Sequence, residues 1–399
     1  MLQPYLAFDK DQAINRLLRF LAVEGVTGQE AAIAKAVVQA LVEAGVPRKA
    51  IRFDRAQERI PLPTQTGNLI VTLPGTRPGP RRLLMTHLDT VPLCAGARPL
   101  RKGNRLIAAG PTALGGDDRT GVACLVTLAA TLQEHRLPHP PLTLLFTVRE
   151  ESGLWGARYV EPADLGNPCE GFNVDGRLAS EITTGAVGAE RWHAEIKGKA
   201  AHAGVHPEQG ISATVVASLA LAQVYQDGWF GKISKDGHEG TANVGSFGGQ
   251  EGQSAGIATN IVTDYAFLRG EARSHDPRFV RQITNAYRDA FRAAAKRVRD
   301  ERGRCAKVGF ATRRDYYPFH LKPTAPVVRH ALEAGEQAGL KPTLRVTNGG
   351  LDANWLVRHG IPTVTFGAGQ NNIHAPEEYV NLTDFVDGCR MALAVATTV

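Results

Sequence analysis

Short apolar runs alternate with helical segments in the first half of the 399-residue chain. The apolar runs that predict strands lie at 68–73, 82–85, 142–148 and 171–174, and the periodicities that predict helices lie at 11–44 and 119–135. Strands separated by helices form mostly parallel sheets, because a parallel connection needs a crossover and the crossover helices cover both faces. The pattern therefore predicts an α/β fold in which a mostly parallel sheet is covered by helices on both faces.

The pattern changes after Thr184. Alternating residues at 191–197 and 260–272 predict strands, whereas an Ala-rich stretch at 212–226 and a basic stretch that begins at Arg278 predict helices. Strands and helices in this arrangement are typical of an α+β unit.

The α/β pattern resumes after the basic stretch, with a predicted helix over 325–338 and an apolar run over 361–366. We therefore expect one α/β domain formed by residues 1–186 and 318–399. An inserted α+β domain at 187–317, which has an ordinary domain size, interrupts it.

The composition is that of a globular protein with a sizeable core, because 43% of the residues are hydrophobic. No segment approaches the roughly 20 consecutive apolar residues that a membrane span requires. Acidic and basic residues interrupt the N-terminal segment where a signal peptide would be apolar, so we expect a cytoplasmic protein without a membrane partner. The five cysteines are scattered and form no Cys-x-x-Cys pair, which argues against a disulfide framework and against a thiolate zinc site.

The formal charge of +7 raises the question of nucleic-acid binding. The segment Arg278–Lys307 carries ten Lys and Arg residues against three Asp and Glu residues, an excess that equals that of the whole chain. Apolar residues at helical spacing within this segment predict an amphipathic helix with a solvated basic face. Because no nucleic-acid motif accompanies the segment, we expect no nucleic-acid partner.

Several predicted strands end in side chains of the kind that bind metal ions. These are His87 and Asp89, Glu150 and Glu151, Asp175, and His374, and the loop Gly115–Gly121 adds Asp117 and Asp118 at the start of a helix. One His-x-Asp pair alone is more often a strand-end His beside a turn Asp, and one Glu pair is usually solvated. In open parallel sheets, however, the loops at the carboxyl ends of the strands meet at one edge. We therefore expect these side chains to converge.

Imidazole and carboxylate ligands without thiolates suit zinc and also accommodate cobalt or manganese. Two His and several carboxylates are enough for two divalent ions that share one bridging carboxylate. Two ions about 3.5–4 Å apart lower the pKa of a water between them and polarise a carbonyl group, which is the chemistry of amide hydrolysis. Spacing alone leaves open whether Asp117 or Asp118 is the bridge.

The motifs resemble those of one enzyme family in the same order along nearly the whole chain. They are THLDTVP, GGDDRTG, REESG, NVDG, KAAHAG, ATNIV with GEARSHD, NGGLDAN, and NNIHAPEEYV. The sequence is similar to the peptidase T-like members of the aminoacylase and carboxypeptidase-G family of co-catalytic zinc hydrolases. The resemblance implies that the inserted domain is a lid that also mediates a homodimer.

The resemblance also implies a ligand set. His87 and Asp175 would bind one zinc ion, Glu151 and His374 would bind the other, and Asp117 would bridge the two. Asp117 is preferred to Asp118 because it aligns with the family's acid two places before a basic residue, which here is residue 119.

Two further carboxylates have implied roles beside the metals. Asp89 would orient His87 by accepting the hydrogen bond of its second ring nitrogen, as carboxylates beside metal-bound imidazoles do. Glu150 matches the general base. Arg119 departs from the family pattern, in which Lys is commoner.

Three residues of the inserted domain have implied roles toward the substrate. His202 would be an oxyanion donor, although a lone His in a Gly-rich turn is often a surface residue. Arg273 would bind a substrate carboxylate through its planar fork, although it could instead form a strand-end salt bridge. Asn243 matches a substrate-contacting position.

The resemblance therefore implies a two-metal peptidase that acts as an aminopeptidase on dipeptides and tripeptides. A deacylase for N-acyl amino acids or acetylornithine would use the same metal centre on a different amide, and it remains the alternative. A non-catalytic binding protein is disfavoured because Glu150 and every expected ligand are present.

Overall fold

In the computed structural model, which describes residues 7–398, the chain divides into two units. Unit 1 consists of the chain up to Ala186 together with His320–Thr347 and the chain from Leu351 onward. Unit 2 consists of Val187–Phe319 and Asn348–Gly350. The first six residues, which entered the argument against a signal peptide, lie outside the described part. No helix within residues 7–398 combines the length and apolar character that a membrane span requires.

Unit 1 contains most of the helices and strands. Its helices are α1 (Lys10–Leu21), α2 (Ala31–Glu43), α3 (Gly116–His135), α4 (Trp155–Tyr159), α7 (Pro326–Gln337), α8 (Ala353–Arg358) and α9 (Leu382–Thr397). Its strands are β1 (Ile51–Phe53), β2 (Leu69–Leu73), β3 (Arg82–His87), β4 (Pro99–Lys102), β5 (Arg105–Ala108), β6 (Leu142–Thr147), β7 (Glu170–Val174), β8 (Glu181–Ala186), β15 (Thr343–Thr347), β16 (Thr363–Phe366), β17 (Gln370–Asn371) and β18 (Tyr379–Asn381).

Unit 2 contains two long helices and five longer strands. They are β9 (Gly188–Lys197), α5 (Ala213–Gln226), β10 (Gly231–Lys235), β11 (His238–Gly248), β12 (Tyr265–Ser274), α6 (Pro277–Arg297) and β13 (Lys307–Tyr316). The short strand β14 (Phe319–His320) lies where the chain passes from unit 2 into unit 1.

The largest sheet of unit 1 has a parallel centre. Its strand order runs β1-β2-β6-β3-β7-β16-β8, and the contacts β6-β3, β3-β7 and β7-β16 are all parallel. Every residue of β3, β6, β7 and β16 is buried, as expected of central parallel strands that are covered on both faces. The mostly parallel α/β fold is confirmed. Strand β14 follows β8 at the end of this sheet, and β15 also pairs with β8, in parallel. Strands β17, β18, β5 and β4 form a small separate sheet.

The helix predicted over 11–44 is wrong in one respect, because the structure has α1 and α2 with an irregular segment between them. Gly28 in this segment has φ of +87°, a left-handed conformation that strains residues with a Cβ atom. The backbone of Val26 also forms a parallel bridge with Thr90. The periodic apolar residues on either side hid this break from sequence analysis.

Unit 2 is a five-stranded antiparallel sheet of order β10-β11-β12-β9-β13, with α5 and α6 packed on one face around Trp192. Asp276 caps α6 by accepting from the backbone N–H of Arg278, and Pro277 occupies the first turn. The strand predicted from residue 260 begins only at Tyr265. The basic stretch leaves the helix at Arg297 and continues into β13.

Candidate metal centre

The predicted ligands of unit 1 follow adjacent parallel strands. In the order β6-β3-β7-β16 the strands end at Thr147, His87, Val174 and Phe366, so their carboxyl ends meet at one sheet edge. The loops that follow these ends carry the carboxylates and imidazoles that the sequence singled out, and α3 begins at the same edge. The structure therefore brings the predicted metal ligands of unit 1 together.

Asp117 lies between two histidines. Its Oδ1 is 3.1 Å from His87 Nε2, and its Oδ2 is 3.2 Å from His374 Nε2. His374 Nε2 also lies 3.0 Å from Glu151 Oε1. One carboxylate therefore offers a separate oxygen to each of two imidazoles, and the second imidazole also faces a second carboxylate.

Two groups of candidate ligands overlap at His87. One comprises His87, Asp118 and Asp175, and the other comprises His87, Asp117 and Glu151, with the ligand atoms of each group within 4.8 Å of one another. Neither group contains a cysteine.

Asp118 already has several protein donors. Its carboxylate accepts from the hydroxyl of Thr86, from the backbone N–H of Gly121 at 3.1 Å and from Gln370 Nε2 at 2.8 Å. A Cβ atom at Gly121 would lie 2.4 Å from Asp118 Oδ2 and Thr86 Oγ1, so only glycine allows this close approach. Asp118 thus has these three protein donors, whereas Asp117 faces both histidines.

Glu378 holds the loop that presents Asp117. It accepts backbone hydrogen bonds from Leu114 and Gly115, each at 2.8 Å, and from Asp117 at 3.0 Å. Asp117 and Asp118 have non-helical backbone angles within the first turn of α3, and the peptide bond between them is cis. Sequence analysis missed both Glu378 and Gln370. Glu378 lies within the NNIHAPEEYV motif that contains His374, and Gln370 directly precedes this motif.

The ring of His87 contacts Asp89 through Nδ1. Its Nδ1 lies 3.0 Å from the backbone carbonyl oxygen of Asp89 and 3.5 Å from the carboxylate Oδ1. A carbonyl oxygen only accepts, so Nδ1 carries a proton, and Nε2 is the ring nitrogen that faces Asp117. Both the main chain and the carboxylate of Asp89 therefore lie beside Nδ1, with the main-chain oxygen the nearer of the two.

The Asp89 carboxylate has a different pair of donors. Its two oxygens accept from the backbone N–H groups of Glu150 at 3.0 Å and of Glu151 at 3.2 Å. Asp89 is completely buried, so these hydrogen bonds are shielded from water. Its carboxylate therefore fixes the backbone that carries both glutamates.

Charges at the centre change the pKa of each histidine. Hydrogen bonds to Asp117 and Glu151 raise the pKa of His374 to about 10. Burial opposes the charge of His87, but Asp117 and Asp89 still raise its pKa well above the usual range. Burial alone would raise the pKa of Asp117, whereas hydrogen bonds from His374 and His87 lower it below the usual carboxyl range.

The other carboxylates of the centre are crowded and buried. Burial, together with Asp117, raises the pKa of Glu151 to about 7 and the pKa of Asp175 to about 6. Burial and the nearby carboxylates, among them Glu151 and Asp352, raise the pKa of Glu150 well above its usual range. The protein alone thus supplies too little positive charge for this many carboxylates to ionise at neutral pH.

His202 lies in unit 2 and is exposed. Its Nδ1 accepts hydrogen bonds from the backbone N–H groups of Gly204 at 3.2 Å and Val205 at 3.1 Å. A ring nitrogen that accepts carries no proton, so Nε2 is the protonated nitrogen of the neutral ring. His202 therefore offers an N–H donor on its free side.

Arg273 and Asn243 share one face of the unit 2 sheet. Asn243 on β11 is directly opposite Glu271 on β12, and Arg273 follows Glu271 by two residues. Arg273 donates from Nε to Glu271 Oε1 at 2.8 Å and from Nη2 to Glu271 Oε2 at 3.1 Å. The salt-bridge alternative for Arg273 is therefore present, and sequence analysis missed Glu271 as its partner.

The sequence matches peptidase family M20/M25/M40 over residues 83–398. The uncharacterized protein YqjE of Bacillus subtilis (strain 168) is 31% identical over 390 residues, which cover 97% of this chain and 98% of that protein.

Two solved structures agree with the fold over most of their length. The aminopeptidase PepT of Bacillus cereus ATCC 10987 has a TM-score of 0.81 and 30% identity, and the match covers 98% of each chain. A tripeptidase of Staphylococcus aureus has a TM-score of 0.85 and 27% identity, again over 98% of each chain. The chain therefore belongs to peptidase family M20/M25/M40 and is a peptidase T-like member of it.

Proposed function

We propose that this peptidase is a two-metal aminopeptidase that removes N-terminal residues from short peptides. The observation that carries the proposal is the position of Asp117, whose two oxygens lie 3.1 Å from His87 Nε2 and 3.2 Å from His374 Nε2. A carboxylate that offers one oxygen to each of two imidazoles has the arrangement required of a ligand shared by two ions.

The residues at the centre fit divalent cations. We assign His87 and Asp175 to one ion, Glu151 and His374 to the other, and Asp117 to both. Imidazole nitrogens and carboxylate oxygens without sulfur suit Zn²⁺, and this donor set also accommodates Co²⁺ or Mn²⁺. The raised pKa values of Glu151 and Asp175 express an excess of buried acid that cations would neutralise. When bound, such ions would lower the pKa of a water and polarise the scissile carbonyl group.

Glu150 is the side chain that we assign to proton transfer. It lies in the loop after β6, immediately before Glu151. It belongs to neither of the two ligand groups and is 9% exposed. Its backbone N–H is held by Asp89, so the side chain starts from a fixed point beside the centre. A carboxylate in this position takes the proton of the attacking water and delivers it to the leaving amine.

We assign the recognition of the substrate to three side chains of unit 2. His202 would donate its Nε2 proton to the oxygen that gains negative charge in the transition state. Arg273 would bind the terminal carboxylate of the peptide, and Asn243 on the same sheet face would contact the substrate beside it. Glu271 already accepts two hydrogen bonds from the guanidinium group of Arg273, so a substrate carboxylate would use its other N–H donors or displace Glu271.

The preference for short peptides rests on the relatives. Two solved structures that match 98% of this chain are an aminopeptidase and a tripeptidase.

The direct test is to offer Zn²⁺-reconstituted protein four substrates. These are a dipeptide, a tripeptide with a free N-terminus, the same tripeptide with an acetylated N-terminus, and an N-acetyl amino acid, with released amine as the readout. The proposal predicts turnover of the free tripeptide, little turnover of its acetylated form, and none by Glu150→Gln. Cleavage restricted to the N-acetyl amino acid would instead establish a deacylase.

A further inference from the structure

The loop Gly25–Glu30 between α1 and α2 contacts the segment that follows β3. The backbone N–H of Thr90 donates to Gly25 O at 3.1 Å, and the N–H of Thr27 donates to Thr90 O at 2.9 Å. Thr90 directly follows Asp89, so this loop is hydrogen-bonded to one of the strand ends at the candidate metal centre.

The same loop contacts the segment that carries the two glutamates. The Oε1 atom of Glu30 accepts from the backbone N–H of Arg149 at 3.1 Å, across 119 residues of sequence, and from the N–H of Gly28 at 2.6 Å. Thr27 Oγ1 donates to Ser152 Oγ at 2.9 Å. The loop therefore holds the segment Arg149–Ser152 at both ends.

Glu30 completes a row of three backbone hydrogen bonds. The N–H of Arg149 donates to Glu30, whereas the N–H groups of Glu150 and Glu151 donate to Asp89. Glu30 is completely buried, as Asp89 is, so water cannot replace either acceptor. Two buried carboxylates from distant segments thus hold three consecutive backbone amides.

The conformation of Arg149 shows why such support is needed. Its φ is +54°, a left-handed value that is uncommon for a residue with a side chain. Its guanidinium group packs against Gly28, where a Cβ atom would lie 2.2 Å from Arg149 Nη2. Backbone conformations of this kind persist only where the surrounding contacts determine them.

We infer that Glu30 is a positioning residue for the two glutamates, acting through the backbone N–H of Arg149. It touches neither metal ligands nor substrate directly, and it sets the turn from which Glu150 and Glu151 project. This inference rests on the proposed function, because it assumes proton transfer by Glu150 and metal binding by Glu151.

The test compares three variants with the wild type for kcat and KM on a free tripeptide and for Zn²⁺ affinity by competition with a chromogenic chelator. Glu30→Ala removes the acceptor, Glu30→Gln keeps an acceptor oxygen, and Glu24→Ala is a control at an exposed acidic residue just before the loop. Circular dichroism and thermal unfolding confirm that each variant is folded.

We expect Glu30→Ala to lower kcat by about 10–100-fold and to weaken one of the two zinc equivalents by a similar factor, as loss of a supporting partner of a ligand does. KM should change by less than about threefold, because substrate recognition is assigned to unit 2. Glu30→Gln should recover most of both losses, and Glu24→Ala should match the wild type.

The inference is overturned if folded Glu30→Ala keeps wild-type kcat and zinc affinity, or if Glu30→Gln is as impaired as Glu30→Ala. Should Glu30→Ala fail to fold, Glu30→Asp decides, because its shorter side chain draws the acceptor away from the N–H of Arg149 and keeps the charge. A reduced kcat then supports positioning by Glu30, and an unchanged kcat and zinc affinity contradict it. If wild-type protein binds zinc but cleaves no peptide, the proposed function fails, while the zinc affinities still test Glu30.

Discussion

Arg273 donates two parallel hydrogen bonds to the carboxylate of Glu271, at 2.8 and 3.1 Å. Each of the two side chains is 31% exposed. A substrate carboxylate in solution can therefore reach the guanidinium group. A bidentate Arg–carboxylate pair of this kind is also the geometry that recognises a peptide C-terminus.

We expect Arg273→Ala to raise KM for a free tripeptide by about tenfold or more with little change in kcat, because the clamp acts equally on the bound ground state and transition state. The C-terminal amide of the same peptide should be cleaved by the variant and the wild type with similar KM. Glu271→Gln, which leaves Arg273 in place, is the matched control and should bind the free acid at least as well as the wild type. Equal weakening of the acid and the amide would reduce Arg273 to a structural partner of Glu271.

His202→Ala should mainly lower kcat, by on the order of 10²–10³ as for other oxyanion donors. His202 Nδ1 accepts two backbone hydrogen bonds, so Nε2 is the nitrogen that donates. The variant loses this donor, and water can accept from the two backbone N–H groups in place of Nδ1. His206→Ala, at an exposed histidine of the same turn, is the control. A fall in kcat of similar size in both variants would point to distortion of the turn instead of loss of a donor.

Glu150→Gln and Glu151→Gln should separate two roles. Gln at 150 preserves shape but cannot accept a proton, so turnover should fall by about 10²–10⁴ while both zinc equivalents remain. Gln at 151 loses the negative charge 3.0 Å from His374, so one zinc equivalent should bind more weakly. Metal analysis and steady-state rates on the same preparations make the comparison. Equal metal loss in both variants would contradict this division of roles.

Metal binding should release protons. The pKa of His374 is raised to about 10 in the metal-free protein, so its ring is protonated near pH 7.5 and must lose that proton to bind an ion. Apparent zinc affinity should therefore rise with pH up to about pH 10. Calorimetry at pH 7.5 in two buffers of different ionisation heat should detect at least one released proton, and His374→Gln should release fewer. Zinc binding without proton release would show that the histidine is already neutral.

The sequence predicted the parallel sheet and the convergence of its ligands for a common reason. Buried parallel strands are predicted from short apolar runs, and a predicted ligand such as His87 or Asp175 lies at or directly after the end of such a run. Both signals are local in the sequence. The topology of a parallel sheet then brings these strand ends together without any knowledge of individual contacts.

The partners of these ligands could not be predicted in the same way. The hydrogen bond from Arg149 to Glu30 spans 119 residues, and the irregular loop that makes it was hidden within one long helical periodicity. Glu271 and Arg273 are neighbours on a strand, but only the observed side-chain geometry shows that they form a bidentate pair. Long-range pairing and side-chain orientation therefore set the limit of what the sequence reveals here.

The measurement that tests the account most directly is the metal content and activity of Asp117→Ala beside the wild type. Wild-type protein that has not met a chelator should contain close to two equivalents of divalent metal, because we propose that Asp117 is shared between two sites. Asp118→Asn should leave the proposed bridge intact and retain at least one tightly bound equivalent. Asp117→Ala should lose at least one equivalent and nearly all turnover of a tripeptide, since both His87 and His374 lose their common partner. A single equivalent in the wild type, or an Asp117→Ala variant that keeps two equivalents and normal turnover, would contradict a bridged two-metal centre.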